Sequence, residues 1–227
     1  MKQEDEIPAV LPGRCTAIET QSKNKERISL FIEGVFLAGL YRDTLIQSGI
    51  KKGDLVTADT YQKLLQNDQQ TALLQYMYRW LALRNHCRGE LLKKARAKGF
   101  SASVADDTLS VLEEKGLLND ALYAEQFARE KTKNSKWGPL KIKAALIKNG
   151  IKKPYIERAL ESVAGHYCVR STLEGVVRSK RSSILRKSPG FERKKKITEV
   201  LLRKGFSGED VFSYVDELLI KLEDEET

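Results

Sequence analysis

Three stretches of the chain repeat one order of apolar and polar positions: an amphipathic helix pattern, a glycine, and the start of another helix. The glycines are Gly99, Gly150 and Gly205, and apolar residues at helical spacing precede each one, such as Ile142 and Leu146 before Gly150. Glycine is the preferred residue where a helix ends in a left-handed conformation. Spacings of 51 and 55 residues leave room for three helices in each repeat. The pattern therefore predicts three tandem three-helix units.

The central stretch, residues 117–151, shows how one unit is built. Asn119 is the predicted N-cap of a helix that places Tyr123 and Phe127 on one face. That helix runs into a basic loop. Pro139, which has no backbone N–H, suits the first turn of the next helix. Two amphipathic helices are thus predicted to meet at a basic junction.

The helix that follows each repeated glycine has its own start signal. Ser103 with Asp106, and Ser207 with Asp210, fit the S-x-x-D capping pattern, while Pro154 stands where a first-turn proline belongs. We therefore expect Ser103 and Ser207 to cap the third helix of their units.

The chain begins differently. Residues 14–39 alternate between apolar and polar positions and are rich in β-branched residues, which predicts a small sheet or hairpin. A helical pattern follows from residue 57 to residue 84, with Tyr76, Trp80 and Leu83 on one face. Core packing is our first interpretation of that aromatic stripe.

The expected fold class is mainly α. Three tandem three-helix, helix-turn-helix-like repeats are expected to form an elongated array, preceded by a small β-rich N-terminal part. The predicted domains are a β-rich extension at residues 1–60, repeat 1 at 61–116, repeat 2 at 117–165, and repeat 3 at 166–227. Repeat 3 ends in an acidic run, residues 223–226, which we expect to be a frayed tail.

Composition argues against an exported or membrane protein. The three cysteines are widely spaced and form neither a disulfide framework nor a metal knuckle, which favours a reducing compartment such as the cytoplasm. No run of about 18 apolar residues occurs, and the first residues are acidic rather than a signal peptide.

Catalytic constellations are also missing from the sequence. His86 and His166 are the only histidines, and no nucleophile elbow, phosphate-binding glycine loop or paired-carboxylate spacing accompanies them. His86 beside Cys87 lacks the further ligands of a tetrahedral zinc site. We therefore predict a binding protein that is not an enzyme and has no cofactor and no metal.

The net charge of +9 is concentrated in the middle of the chain. Residues 84–206 contain 29 basic and 13 acidic residues, a net charge of +16, whereas residues 207–227 have a net charge of −7. Such a middle segment favours polyanionic partners. Solvated helix faces are the alternative explanation, because lysine-rich surfaces are common.

The candidate binding residues are the basic side chains around the three predicted helix junctions. The N–H groups at a helix start also favour anions, so each junction is a candidate site for a carboxylate or phosphate. The first group is Arg84, Arg88, Lys93 and Lys94; the central group is Arg129, Lys131, Lys133, Lys136, Lys141 and Lys143; the third group is Arg193, Lys194, Lys195 and Lys196.

An ordered series of motifs resembles the RecX family, regulators of the RecA recombinase. The resemblance covers about residues 70–222, and the sheet-forming start is similar to an extension that some members have. The motifs are residues 84–91, residues 109–120 followed by Tyr123, Ala124 and Phe127, then Gly138, Pro139, Ile142, Leu146, Gly150 and Ile151, and finally residues 204–207. Gly99 belongs with these as a structural motif residue.

By this resemblance, the partner is the RecA filament on single-stranded DNA. Family members bind in the groove of the filament and suppress its growth, ATP hydrolysis, strand exchange and co-protease activity. The resemblance thus implies a monomeric, cytoplasmic regulator of DNA repair, homologous recombination and the SOS response. A direct helix-turn-helix-type DNA-binding protein, which would also bind double-stranded DNA, is the first alternative. An RNA-binding chaperone is the second.

Overall fold

The computed structural model describes residues 7–164 and 168–224 of the chain. Within those residues it contains four strands and eleven helices, so the predicted class, mainly α with a small β-rich N-terminal part, is confirmed. The strands are β1 (Gly13–Thr20), β2 (Arg27–Ile32), β3 (Val35–Tyr41) and β4 (Leu55–Val56). The helices are α1 (Arg42–Ser48), α2 (Ala58–Leu83), α3 (Arg88–Ala97), α4 (Ala102–Glu114), α5 (Asp120–Ser135), α6 (Pro139–Lys148), α7 (Lys153–Ala164), α8 (Val169–Ser179), α9 (Arg181–Leu185), α10 (Phe191–Lys204) and α11 (Gly208–Asp224).

The chain divides into two compact units. The first comprises the residues up to His86 together with Leu91–Leu117, and the second comprises Cys87–Glu90 and the residues from Leu118 onward. The first turn of α3 therefore belongs to the second unit, although the rest of α3 belongs to the first.

The first unit contains an antiparallel sheet in the order β3-β2-β1-β4. The tight turn between β2 and β3 is at Glu33 and Gly34, which both have positive φ, 47° and 77°. Leu30, Ile32 and Leu40 are fully buried and pack in one cluster with Leu64 of α2, along with other apolar side chains of the sheet.

The start of α4 corrects one sequence prediction. Its N-cap is Ser101, whose hydroxyl accepts a hydrogen bond from the backbone N–H of Val104 at 3.2 Å, so the expected cap Ser103 lies inside the helix. The helix begins directly after the turn at Gly99, which leaves no room for two further extended residues.

The other helix starts follow their sequence signals. Asn119 caps α5 by accepting from the N–H of Leu122 at 2.9 Å, and Ser207 accepts from the N–H of Asp210 at 3.0 Å where α11 begins. Pro139 is the first residue of α6.

The three repeated glycines end their helices in the same way. Gly99, Gly150 and Gly205 have φ values of 89°, 80° and 90°, which confirms the predicted left-handed caps. In each case the residue after the glycine closes the helix with a 6→1 backbone hydrogen bond. These bonds run from Phe100 to Ala95 (3.2 Å), from Ile151 to Leu146 (3.1 Å) and from Phe206 to Leu201 (3.4 Å).

At two of these glycine caps, the start of another helix packs against the end of the capped helix. The N–H of Gly138 donates to the carbonyl of Lys204 at 2.8 Å, and that of Leu140 donates to Gly205 at 3.0 Å, so the end of α10 abuts the start of α6. A Cβ on Gly138 would lie 2.3 Å from the Gly205 oxygen. Only glycine permits this approach.

The end of α6 meets the start of α3 in the same manner. A Cβ on Gly89 would lie only 1.9 Å from the carbonyl oxygen of Asn149, the residue before Gly150. Helices of successive repeats therefore meet end to end at two junctions within the second unit. Each junction pairs a glycine cap with a glycine at the start of another helix.

Candidate anion-binding surface

Three basic side chains of the central group line one pocket of the second unit. Arg129 and Lys133 are four residues apart on α5, and Lys136 follows at the end of that helix. They surround a pocket of about 510 Å³. Its other lining residues, from α5, α7 and α8, are Thr132, Ser162, Val163 and Thr172. We call this the basic pocket.

The three cations of the basic pocket are exposed, and their charges are not neutralised within the protein. None of Arg129, Lys133 and Lys136 has a carboxylate within 4 Å in the described part of the chain. Lys136 has φ 52°, so it occupies the left-handed cap position of α5 that glycine or asparagine usually fills. A cluster of unpaired cations around a concavity suits an anion that carries several acceptor oxygens.

Two of the hydroxyl groups that line the basic pocket are already used as donors. Ser162 donates to the carbonyl of Ala159 at 2.9 Å, and Thr172 donates to that of Cys168 at 3.0 Å. The positive charge that attracts anions to the basic pocket comes from its three cations.

Two other lysines of the central group rest on aromatic rings. Lys131 lies 5.3 Å from the ring centroid of Phe127, and Lys141 lies 4.7 Å from that of Trp137. Lys141 also donates to the carbonyl of Arg203 at 3.3 Å. These two lysines help to fix the packing around Trp137 through cation–π contacts, whereas Lys143 is exposed on α6.

The third basic group is largely neutralised within the protein. Arg193 is buried, and its guanidinium contacts Glu223 at 3.3 Å and donates to the carbonyl of Lys187 at 3.2 Å. Lys194 pairs with Asp216 at 2.5 Å. Lys196 pairs with Glu199 at 3.4 Å. Lys195 is exposed.

The contacts of Arg193 bear on two sequence expectations. Because Arg193 is buried, it is not part of an exposed basic surface. Its partner Glu223 and the next residue, Asp224, are part of α11 rather than of a frayed tail, and residues 225 and 226 of the predicted tail lie outside the described residues. Apolar periodicity identified α10 and α11, but it gave no sign of this ion pair between them.

The first basic group is divided between the two units. Arg84, Lys93 and Lys94 belong to the first unit and Arg88 belongs to the second. The N–H of Arg88 donates to the Asp120 carboxylate at 2.8 Å, so that carboxylate caps the start of α3. Arg84 and Lys93 are exposed, while Lys94 is half-buried beside the ring of Trp80.

The starts of α3 and α6 are not free anion sites, contrary to the expectation from their N–H groups. Carbonyl oxygens of Lys204 and Gly205 accept the N–H groups at the start of α6, and Asp120 occupies the start of α3. The sequence could not show this, because the acceptors lie far away along the chain.

Positive charge is also crowded near the end of α10. Burial lowers the pKa of Lys204, and the neighbouring charges of Lys141, Lys180 and Arg203 lower it further. The Lys204 ammonium donates to the carbonyl of Ser135 at 2.8 Å. Our sequence prediction did not select these residues for anion binding: Lys180 and Arg203 have no distinguishing spacing, and Lys204 was assigned only to the motif at residues 204–207.

Other motif residues stabilise the second unit. Tyr123 stacks on Phe127 at 5.9 Å, and its hydroxyl donates to Glu90 at 3.1 Å and accepts from Asn149 at 3.3 Å. Cys87 is fully buried in the same apolar cluster, and burial raises the pKa of its thiol to about 11. This thiol is therefore protonated at neutral pH.

Neither a metal cluster nor a membrane span is found in the ranges 7–164 and 168–224. No three metal-binding side chains there are grouped closely enough to hold an ion. No helix there is both long and apolar enough to cross a membrane. His166 lies outside those ranges.

Comparisons with known proteins point to one family from both halves of the chain. The family model "RecX, second three-helix domain" matches residues 119–160, and "Regulatory protein RecX N-terminal domain" matches residues 13–57. Regulatory protein RecX of Staphylococcus carnosus is 27% identical over 214 residues, covering 94% of this chain and 79% of that protein. The protein of the same name from Staphylococcus saprophyticus is 26% identical over 206 residues, covering 90% and 74%.

Two solved structures of RecX proteins are also similar to this chain in fold. A crystal structure of regulatory protein RecX is similar in fold with a TM-score of 0.72 at 21% identity, covering 90% of this chain and 99% of that one. The crystal structure of RecX from Lactobacillus salivarius has a TM-score of 0.55 at 25% identity, covering 66% and 97%. The motif series, the fold and these matches together support a RecX family protein.

Proposed function

We propose that this protein is a regulatory binding protein that binds the RecA filament on single-stranded DNA and inhibits its ATPase, recombinase and co-protease activities. The family match supports this proposal, since similar proteins are named as regulatory proteins. We further propose that it acts in the cytoplasm as a monomer, in the SOS response and homologous recombination, and has no catalytic activity of its own.

The basic pocket is the observation in this chain that best supports an anionic partner. Arg129, Lys133 and Lys136 present three uncompensated positive charges in one concavity, and a filament offers both protein carboxylates and DNA phosphates. We propose that these three residues contact the filament. Lys143 and Lys195 are exposed and remain candidates for further contacts, as do Arg84, Arg88, Lys93 and Lys94 of the first group.

Direct helix-turn-helix binding to duplex DNA through α6 is less well supported. A recognition helix reads bases with its N-terminal residues. The start of α6 is covered by Lys204 and Gly205 within the same unit, so α6 cannot present that end to a major groove. A sequence-specific footprint on naked duplex would nevertheless favour this alternative.

Charge reversal in the basic pocket tests the proposal. The double substitution Lys133→Glu with Lys136→Glu should weaken binding to RecA filaments and make the remaining binding less dependent on salt, because binding to anions releases counterions. The melting temperature should hardly change, since exposed charges contribute roughly 0 to 1 kcal/mol to folding. Filament co-sedimentation across a salt series measures the binding, and thermal melts measure the stability.

A matched control is available on α7 and the loop before it. Lys152→Glu with Lys153→Glu makes the same change in net charge at exposed positions outside the basic pocket, and it should leave binding close to that of the parent. If both double variants bind equally well, the basic pocket is a solvated surface. Lys136→Gly separates the effect of charge from the effect of stability. It removes a positive charge, so filament binding should fall, and it places glycine in a left-handed backbone conformation, so stability should rise.

A further inference from the structure

Three aromatic rings form a cluster on the first unit. Tyr76 and Trp80, four residues apart on α2, stack with their centroids 6.0 Å apart. Phe100, which follows the glycine cap of α3, meets Tyr76 edge-on at 6.1 Å. We call these three rings the aromatic platform. All three are half-buried, so each keeps part of its surface open to solvent.

Cations lie over the aromatic platform. The Arg79 guanidinium is 4.9 Å and the Lys98 ammonium 5.3 Å from the Tyr76 centroid, while the Lys94 ammonium is 5.1 Å from that of Trp80. None of these three cations has a carboxylate within 4 Å in the described part of the chain. Core packing, the first interpretation from the sequence, does not explain why unpaired charges gather on these rings.

Single-stranded nucleic acid matches both features at once. An unpaired base has an apolar face that stacks on aromatic rings, and each nucleotide carries a phosphate that a nearby lysine or arginine can bind. Long lysine side chains can exchange a ring for a phosphate while their stems stay in place. A duplex keeps its bases stacked internally, so it offers only phosphates to such a surface.

We propose that the aromatic platform, with Arg79, Lys94 and Lys98, binds single-stranded DNA directly by stacking bases and pairing phosphates. The inference deepens the proposed function and rests on it, because single-stranded DNA is the polymer inside the proposed filament partner. It assigns the DNA contact to the first unit and is independent of the basic pocket of the second.

Intrinsic fluorescence provides a direct test without RecA. The chain has two tryptophans, so Trp137→Phe leaves Trp80 as the only reporter. Titration of this full-length variant with an oligothymidylate should quench its emission, because a base stacks on or beside the indole. Unchanged emission at saturating oligonucleotide, or equal quenching by a duplex of the same length, would overturn the proposal. So would clearly tighter binding of an RNA of the same sequence.

Substitutions separate stacking from charge. Tyr76→Ala should weaken oligonucleotide binding roughly tenfold, as expected when one base no longer stacks, whereas Tyr76→Phe should bind normally. Lys94→Gln with Lys98→Gln should reduce the slope of log affinity against log salt by about 1.4, or about 0.7 for each phosphate that is no longer neutralised. These lysine variants keep the rings and so remain informative even if Tyr76→Ala fails to fold.

A control comes from the same helix. Tyr78 has a lysine, Lys115, near its ring but lies outside the aromatic platform. Tyr78→Ala should leave oligonucleotide binding intact, and equal reductions in Tyr76→Ala and Tyr78→Ala would mean that unfolding, not stacking, explains the result. If oligonucleotide binding is absent while the protein still inhibits RecA, this inference fails and the proposed function stands.

Discussion

Gly138→Ala tests whether the end-to-end helix junctions hold the second unit together. Gly138 has φ −78° and ψ 163°, a conformation that alanine adopts freely, so the substitution carries no conformational penalty. The added Cβ would instead lie 2.3 Å from the Gly205 oxygen and 2.4 Å from its carbonyl carbon. Both atoms are backbone, and they cannot move aside without shifting the end of α10.

The size of the effect follows from the hydrogen bonds at this junction. Moving α10 away weakens two backbone hydrogen bonds, of 2.8 and 3.0 Å, each contributing about 1 kcal/mol to stability. Residual overlap in a packed region adds about 1 to 3 kcal/mol. We expect Gly138→Ala to lower the free energy of unfolding by about 3 kcal/mol, which corresponds to a melting temperature roughly 6 to 12 °C lower.

Gly175→Ala is the matched control, because it makes the same chemical change within the same unit. Gly175 lies inside α8, and nothing lies within 4 Å of the place that a Cβ would take there, so alanine should stabilise the helix by up to about 1 kcal/mol. Urea denaturation followed by circular dichroism measures both variants. If Gly138→Ala is as stable as the parent, or shifts in the same direction as Gly175→Ala, the junction between α10 and α6 does not stabilise the unit.

Three further predictions concern single side chains. Ser101→Ala should destabilise the protein by about 1 kcal/mol in thermal melts and Ser103→Ala by much less, because only Ser101 caps α4; equal effects would contradict that assignment. Glu223→Ala should lower the free energy of unfolding, measured by urea denaturation, by about 1 to 3 kcal/mol, because it leaves the buried Arg193 without this carboxylate. An unchanged free energy of unfolding would show that the pair does not stabilise the fold. The pKa of Cys87 is raised to about 11 in the folded state, so the unfolded thiol ionises first and the free energy of unfolding should fall as pH rises from about 9 to 11. A Cys87→Ala variant should lack this part of the pH dependence. Parallel pH profiles of the variant and the parent would contradict the prediction.

The sequence predicted the features that depend on local chemistry. Asn119 and Ser207 cap helices because their side chains reach an N–H three residues ahead, and Gly150 ends α6 because glycine adopts positive φ. Ser103 was wrong as a cap by two residues, since Ser101 carries the same chemistry and lies nearer to the turn at Gly99.

The candidate site depended on side chains that are distant in sequence. Lys133, Lys141 and Arg193 are equally basic in the sequence, yet the first is exposed in a pocket, the second rests on Trp137, and the third is buried against Glu223. Charge counting cannot make this distinction, because it depends on which carboxylate or ring the fold brings near. The aromatic platform likewise became recognisable only when Lys94 of α3 and the nearby Lys98 were found over rings of α2.

The most direct test of the proposed function is the ATPase activity of RecA on single-stranded DNA, titrated with this protein. We expect substoichiometric protein to lower ATP turnover while hydrolysing no ATP itself, and the Lys133→Glu, Lys136→Glu variant to require a higher concentration than the Lys152→Glu, Lys153→Glu control. Unchanged turnover at an equimolar ratio to RecA would contradict the proposal.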